Sequence, residues 1–401
     1  DFLDRWSELK KRTPQEELSY TTASAINGLW SIQFDPHTKI VPTDFIQDSF
    51  SQTGSRRSGL GVILGKKQKD FYVKRVLPQS QAEAAGILRG DKLISLDRIN
   101  VRTLEEAELN RILDQSGKRF FRNTGSQHSL KFERDGQVHS LTIATELKPR
   151  AYTRYQTLGV IKRVFYIELF RFAEGVCENM SREIRRINFD AMTGIILDLR
   201  DNSGGEIKEA QCVLELFLGE KNFFSLKFRD NSQQIVKGQA PQLTQLPLVV
   251  LQNSQSGSSS EIVSGVLQEL GRAIVVGERS FGKGSFQTLG EWKLWPKVTL
   301  VETQGLYLFP SGSSPQSVGV YPNIFVEDEY FVNEREEDSY FAPIHVQKKK
   351  PKQMSAENIL RCRSFEPLKQ EEKDRALRVA RGLFYCPMEN EQIFKGFSNE
   401  Q

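Results

Sequence analysis

Apolar positions in this chain change their spacing from segment to segment, and the changes mark out its elements. Near the N-terminus, Thr13-Pro14-Gln15-Glu16 combines a cap threonine, a proline at the first helical position and a glutamate three residues after the cap. That pattern predicts a helix running toward Trp30 and Ile32. From Ser58 to about Leu147 the apolar runs are short and broken by turn residues, predicting a small strand-rich unit. Gly59-Leu60-Gly61-Val62 leads into its first strand, and FYVKRV supplies another. A short helix is expected around Ala82–Ala85, a turn at Arg89-Gly90-Asp91 with a strand after it, and a longer amphipathic helix near Leu104–Leu113.

From Leu158 strand and helix patterns alternate. Ile195–Leu199 is an apolar run without turn residues, as expected for a parallel strand buried on both faces. Leu248–Leu251 is a second such run and opens into a loop of serines. Ile262, Val263, Val266 and Leu267 then form an apolar stripe of helical period, ended by Gly271, and Ala273–Val276 reads as the next buried strand. Beyond Glu327 the chain becomes charged, with KKKPK at 348–352, read as a solvated linker, and an amphipathic helix expected near Pro367–Leu383.

The candidate chemistry lies between Leu248 and Gln287, where a strand–serine–helix turn is followed by Lys283 between two glycines. A serine hydroxyl is a poor nucleophile until a neighbour takes its proton, and a lysine can do so only when neutral. That requires enough desolvation to pull its pKa below the free value of about 10.4. A serine at a helix start also places backbone N–H groups where an oxyanion would form. The bland alternative is a polar loop with a surface lysine.

The segment GSSSEIVSGVLQELGRAIVVGERSFGKGSFQ resembles the active-site region of the carboxyl-terminal processing peptidases, or tail-specific proteases. In that pattern the nucleophile lies three residues before the glutamate, which is Glu261 here. The resemblance therefore implies Ser258 as nucleophile, Lys283 as base and Gln287 as the assisting residue. Ser256 and Ser260 are the nearest alternatives, and the residues alone do not separate them. Positions 283, 285 and 287 share one face if the segment is a strand. The turn Asp201-Asn202-Ser203-Gly204-Gly205 resembles the family's glycine turn, implying an oxyanion hole made by one N–H from Gly204 or Gly205 together with that of Ser259. Asp35-Pro36-His37, Pro310-Ser311-Gly312 and Gly319-Val320 before Pro322 also match, so the likeness spans most of 15–330. Ser203 and Gly257 depart from the usual family residues without removing a reactive group. His37 is expected to be a turn histidine bonded to nearby backbone. Residues 58–147 resemble a PDZ domain, which implies that Gly59, Leu60, Gly61 and Val62 receive a peptide C-terminal carboxylate and that the peptide adds as a strand.

These readings give an α/β protein: a ClpP/crotonase-like protease core with an inserted PDZ domain and helical terminal segments. The expected division is a helical segment at 1–57, the PDZ domain at 58–147, the serine protease core at 148–330 and a charged, partly helical tail at 331–401. At 401 residues there is length for several cores. Charged residues make up 26% yet nearly cancel, with a formal net charge of +4, and no basic–aromatic array points to nucleic acid. No apolar run reaches the roughly 18 residues of a membrane span.

The expected activity is a serine endopeptidase that needs no cofactor or metal and selects protein substrates by their C-terminal tails. A catalytically silent PDZ scaffold and a crotonase-like binder of small apolar ligands are the alternatives. The opening DFLDRWSELKK has no cleavage pattern, so any signal peptide is expected to be already removed. By family resemblance the compartment is the periplasm or another exported space. A homo-oligomer or an adaptor protein is left open as partner. Four cysteines show no metal spacing, and Cys362 and Cys386 are expected to form a disulfide if the protein is exported.

Overall fold

The computed structural model describes residues 2–12, 18–33, 35, 37–43, 60–104, 127–144, 152–291, 298–327, 335–336 and 374–385. The N-terminal segment supplies α1 (Phe2–Arg12), α2 (Leu18–Gln33) and a strand, β1 (Lys39–Pro42). Residues 13–17, where the cap motif lies, fall outside the described residues. β1 is the addition to an otherwise helical expectation. Its Ile40 is fully buried and packs with Ala23 of α2 and with Val298, 258 positions further along the chain.

The next unit is a five-strand path of antiparallel β-sheet. Its strands are β2 (Val62–Lys67), β3 (Asp70–Val76), β4 (Lys92–Leu96), β6 (Gln127–Arg134) and β7 (Gln137–Ala144), in the order β2-β3-β4-β6-β7, with β5 (Ile99–Asn100) on β4. A short helix, α3 (Gln81–Ala84), closes one side, its Ser80 cap accepting from the Glu83 N–H. One face is apolar and buried, formed by Leu60, Phe71, Val73, Leu93, Leu130, Phe132 and Ile143 around Ala82 and Ile87. The helix expected near Leu104–Leu113 lies outside the described residues after Leu104, as does Gly59.

The core is layered around a six-stranded sheet. It contains β8 (Thr153–Leu158), β9 (Arg163–Leu169), β10 (Met192–Asp198), β13 (Leu248–Gln252), β14 (Ala273–Gly277) and β17 (Ile324–Phe325), ordered β17-β14-β13-β10-β9-β8. All neighbours are parallel except β8 and β9. Every residue of β13 and β14 is buried, which explains why neither shows alternation. Helices α4 (Val176–Arg186), α5 (Ile207–Leu218) and α6 (Ser259–Glu269) cover one face through Met180, Ile184, Val213, Phe217, Ile262 and Val266.

The other face is covered by α7 (Arg375–Tyr385), whose Leu377, Val379, Ala380, Leu383 and Phe384 pack on Ile196, Val249, Leu251 and Ile274. The far end of the chain thus supplies one layer of the core. Gly194 on β10 has no room for a side chain, since a Cβ there would lie 2.1 Å from the Phe384 ring. A second sheet carries β11 (Asn222–Phe228), β12 (Gln233–Lys237), β15 (Ser285–Glu291) and β16 (Val298–Leu308), with β1 at its edge.

Cys177 of α4 and Cys212 of α5 form a disulfide that ties two helices on one face of the sheet. Cys362 and Cys386, the pair expected from the sequence, lie outside the described residues. No helix among the described residues is long and apolar enough to cross a membrane.

Candidate active site

Parallel β13 ends at the sheet's carboxyl edge, and the chain then turns sharply into α6. Ser258 sits at that turn with φ 55° and ψ −117°, outside the regions L-residues ordinarily occupy. Such strain persists only where the surroundings over-determine it. Here the Ser258 N–H donates to Glu261 Oε2 at 2.8 Å, and its carbonyl accepts the N–H groups of Glu261 and Ile262.

The neighbouring serines are occupied in a way Ser258 is not. Ser256 Oγ donates to the Leu199 carbonyl at 2.8 Å, Ser259 Oγ to the Gly205 carbonyl at 2.9 Å and Ser260 Oγ to the Asn202 carbonyl at 2.7 Å. Ser256 and Ser260 are also fully buried, while Ser258 is half-buried. Of Ser256, Ser258, Ser259 and Ser260, Ser258 is thus the one whose hydroxyl is not tied to a backbone carbonyl.

Lys283 lies just before β15, in a stretch tied down from two sides. Its N–H donates to Glu261 Oε2 at 2.8 Å, and the preceding Gly282 N–H donates to Glu261 Oε1 at 2.7 Å. The Lys283 Nζ donates to Gln287 Oε1 at 2.8 Å, so the shared face of 283 and 287 is realised despite a bulge between Phe286 and Gln287. Burial pulls the ammonium down to about 8, helped by Lys39 and opposed by Glu336, Glu261 and Asp35. No hydrogen bond joins Lys283 Nζ to Ser258 Oγ. Catalytic contacts of this kind are commonly long in unliganded sites and tighten when substrate binds.

Gln287 is held in turn: its Nε2 donates to Ser285 Oγ at 3.0 Å and to Thr303 Oγ1 at 3.3 Å, and Thr303 Oγ1 donates to Asp35 Oδ1 at 2.8 Å. Asp35 also accepts the N–H groups of His37 and Thr38. His37 lies in the turn after Asp35, as expected, and is buried; its Nε2 also lies 2.9 Å from Glu336 Oε1, a partner 299 positions away. Burial holds its pKa down, with the Lys283 charge acting in the same direction. Glu336 showed no signal in the sequence, because its role depends wholly on chain return from a distant segment.

The turn after β10 approaches Ser258 from the other side. Gly204 and Gly205 have φ of 103° and 150°, and a Cβ on Gly204 would lie 2.7 Å from that of Ser258. A Cβ on Gly205 would lie 2.1 Å from the Phe172 carbonyl oxygen. Only glycine fits both conformation and space. The Gly204 N–H is already taken, donating to Asn202 Oδ1 at 2.9 Å. Of the two glycines, Gly205 is therefore the one whose N–H has no acceptor among the described residues, and the N–H of Ser259, first in α6, is in the same position.

At the small domain, Leu60 is buried in the apolar core, and Gly61 takes φ 80° with its carbonyl accepting the Leu77 N–H at 2.8 Å. Val62 opens β2, which among the described residues pairs only with β3 and so presents an edge. The domain is joined to the core by buried charges. Arg75 donates to Glu168 at 2.7 Å and stacks over Phe170, Arg154 bonds both Glu168 and the Val76 carbonyl, and Lys74 lies 3.4 Å from Asp201. Asp201 opens the glycine turn. It is buried, yet Lys74 and Arg75 hold its carboxyl down at about 2.

The peptidase family S41 model matches residues 163–326, and the PDZ domain model matches 49–119. A carboxy-terminal-processing protease of Bartonella bacilliformis is 32% identical over 315 residues, covering 76% of this chain and 69% of that protein. The carboxy-terminal processing protease CtpB of Bacillus subtilis is 25% identical over 362 residues, covering 86% and 70%. Among solved structures, a photosystem II D1 C-terminal processing protease shares the fold with a TM-score of 0.52 at 20% identity, over 82% of this chain and 92% of that one. With that identity and coverage added to the paired S41 and PDZ matches, this chain belongs to the carboxy-terminal-processing proteases of peptidase family S41, enzymes of the serine type.

Proposed function

We propose that the chain is a serine endopeptidase working through a Ser258–Lys283 dyad. Neutral Lys283 takes the Ser258 hydroxyl proton as the oxygen attacks a peptide carbonyl, and returns it to the leaving amine. Gln287 orients the Lys283 amine, and the N–H groups of Gly205 and Ser259 receive the developing oxyanion. The observation that carries this reading is the lysine itself. It is a desolvated amine with a side-chain acceptor fixing its direction, across from the strained serine whose hydroxyl no carbonyl holds.

Substrates in this reading are protein chains with a free C-terminus. Its carboxylate is received at Gly59–Val62, and the tail adds to the open edge of β2. The compartment is an oxidising, exported one such as the periplasm, a reading supported by the Cys177–Cys212 disulfide.

A serine-directed acylating probe followed by peptide mass spectrometry tests the assignment. Modification at Ser258, lost in Ser258→Ala and in Lys283→Ala, is the expected result. Labelling at Ser256 or Ser260 instead, or undiminished labelling of Lys283→Ala, would refute it.

A further inference from the structure

The two residues proposed as the dyad are 25 positions apart, on different elements, and no hydrogen bond joins their side chains. Their backbones, however, are held by the same two side chains. Glu261 Oε2 accepts both the Ser258 N–H and the Lys283 N–H, each at 2.8 Å. On the opposite side the Tyr307 hydroxyl donates to the Lys283 carbonyl and lies 3.2 Å from the Ser258 carbonyl. One acceptor atom thus joins both N–H groups, and one phenolic proton lies between both carbonyls.

We propose that Glu261 and Tyr307 are positioning residues that together set the spacing of Ser258 and Lys283, one gathering their N–H groups and the other their carbonyls. The inference rests on the dyad reading above. The surroundings of each side chain support it. Glu261 is fully buried, and all four of its partners are donors: the N–H groups of Ser258, Gly282 and Lys283, and the Ser280 hydroxyl. Ser280 accepts the Val320 N–H, so its own proton is directed to Glu261. A protonated carboxyl would place a fifth proton among four donors, so the geometry favours the ionised form even as burial pushes the group up to about 8. Tyr307 is 1% exposed on β16, with its own N–H donating to the Gly284 carbonyl. Burial raises its pKa well above the ordinary value, keeping it a neutral donor. Neither side chain is placed to touch substrate; each acts through the residues it holds.

The groups facing Lys283 are Lys39, Asp35 and His37 from the N-terminal segment, Glu336 from the far end and Glu261 from α6. Of these, Glu261 alone also holds the Lys283 backbone. Glu261→Gln therefore has two effects. It opposes an amide NH₂ to donors that had an acceptor, and it removes a negative charge that favours the ammonium. Tyr307→Phe removes one hydroxyl and no charge.

The experiment compares Tyr307→Phe, Glu261→Gln and Glu261→Asp with the unaltered chain, by steady-state cleavage of a reporter peptide across pH and by hydrogen exchange. All three are expected to lower kcat about tenfold to a hundredfold with KM unchanged, the size of effect a small displacement of reacting groups produces. Glu261→Gln should also shift the acid limb of the pH profile to lower pH, because the neutral amine then persists there. Tyr307→Phe and Glu261→Asp should leave the limb in place. Peptides spanning 256–262 and 280–286 should gain exchange together in every variant.

A Tyr307→Phe enzyme with unaltered kcat would overturn the proposal, as would loosening of one segment without the other. If Glu261→Gln does not fold, Tyr307→Phe still decides the question. If Ser258→Ala cleaves as well as the unaltered chain, the dyad reading fails, whereas the paired exchange response continues to test the clamp.

Discussion

The small N-terminal sheet and the central sheet of the core solve opposite problems. In β6 the side chains alternate between exposed and buried positions, and the edge of β2 is left open among the described residues. In β13 and β14 every residue is buried, with helices on one face and α7 on the other. Recognition of an extended peptide needs unpaired backbone at an edge. Desolvating a lysine and holding a strained serine need a frame that excludes water and resists displacement. The two meet at a buried ionic seam, Arg75 with Glu168 and Lys74 with Asp201, whose last member opens the glycine turn beside Ser258.

The largest effect should come from inside the core. Lys283→Ala and Lys283→Arg should each abolish cleavage in a peptide assay while leaving the fold intact, because a guanidinium does not deprotonate in proteins. In the unaltered enzyme, a base whose pKa is depressed must lose its proton to act. The rate should therefore rise with pH through about 8, and a profile governed instead by a group near 6.5, lost in His37→Ala, would move the base to histidine.

Next in size is the seam. Arg75→Ala leaves Glu168 with Arg154 alone and takes one of the cations from beside Asp201, which should cost about 3 to 5 kcal/mol in chemical denaturation. A loss no larger than that of an exposed pair would show that the two sheets are mechanically independent.

Gly205→Ala tests the frame at one atom. The added Cβ cannot coexist with the Phe172 carbonyl, so the turn must shift and its N–H with it. A drop of about 10²- to 10³-fold in kcat is expected, the scale of a lost oxyanion donor. Retained activity would place the donor elsewhere.

The smallest effect belongs to the open edge. Amidating the C-terminus of a tail peptide should weaken its binding by about 1.5 to 3 kcal/mol in isothermal titration, the range for hydrogen bonds to a charged group. Equal affinities would leave the small domain as a spacer rather than a receptor of carboxylates.

Much of this organisation was legible in the residues because the signals are local. Apolar runs without alternation at Ile195–Leu199 and Leu248–Leu251 become central parallel strands, since full burial removes any need for a polar face. The serine loop, Glu261 and the Phe-Gly-Lys-Gly stretch could be read together because motif spacing survives in a single string. What the string could not carry is which hydroxyls are already occupied. Ser256, Ser258 and Ser260 look alike in order, and only the carbonyls of Leu199 and Asn202, delivered by the preceding strand and turn, distinguish them. The same holds for the two glycines, of which Gly204 has its N–H taken by the Asn202 side chain. His37 meets Glu336 from the other end of the chain, Cys177 meets Cys212 across two helices, and α7 covers the second face of the sheet. Each of these depends on where chain segments return in space. Local propensity determined the elements and their chemistry, while long-range packing decided which of those groups face one another.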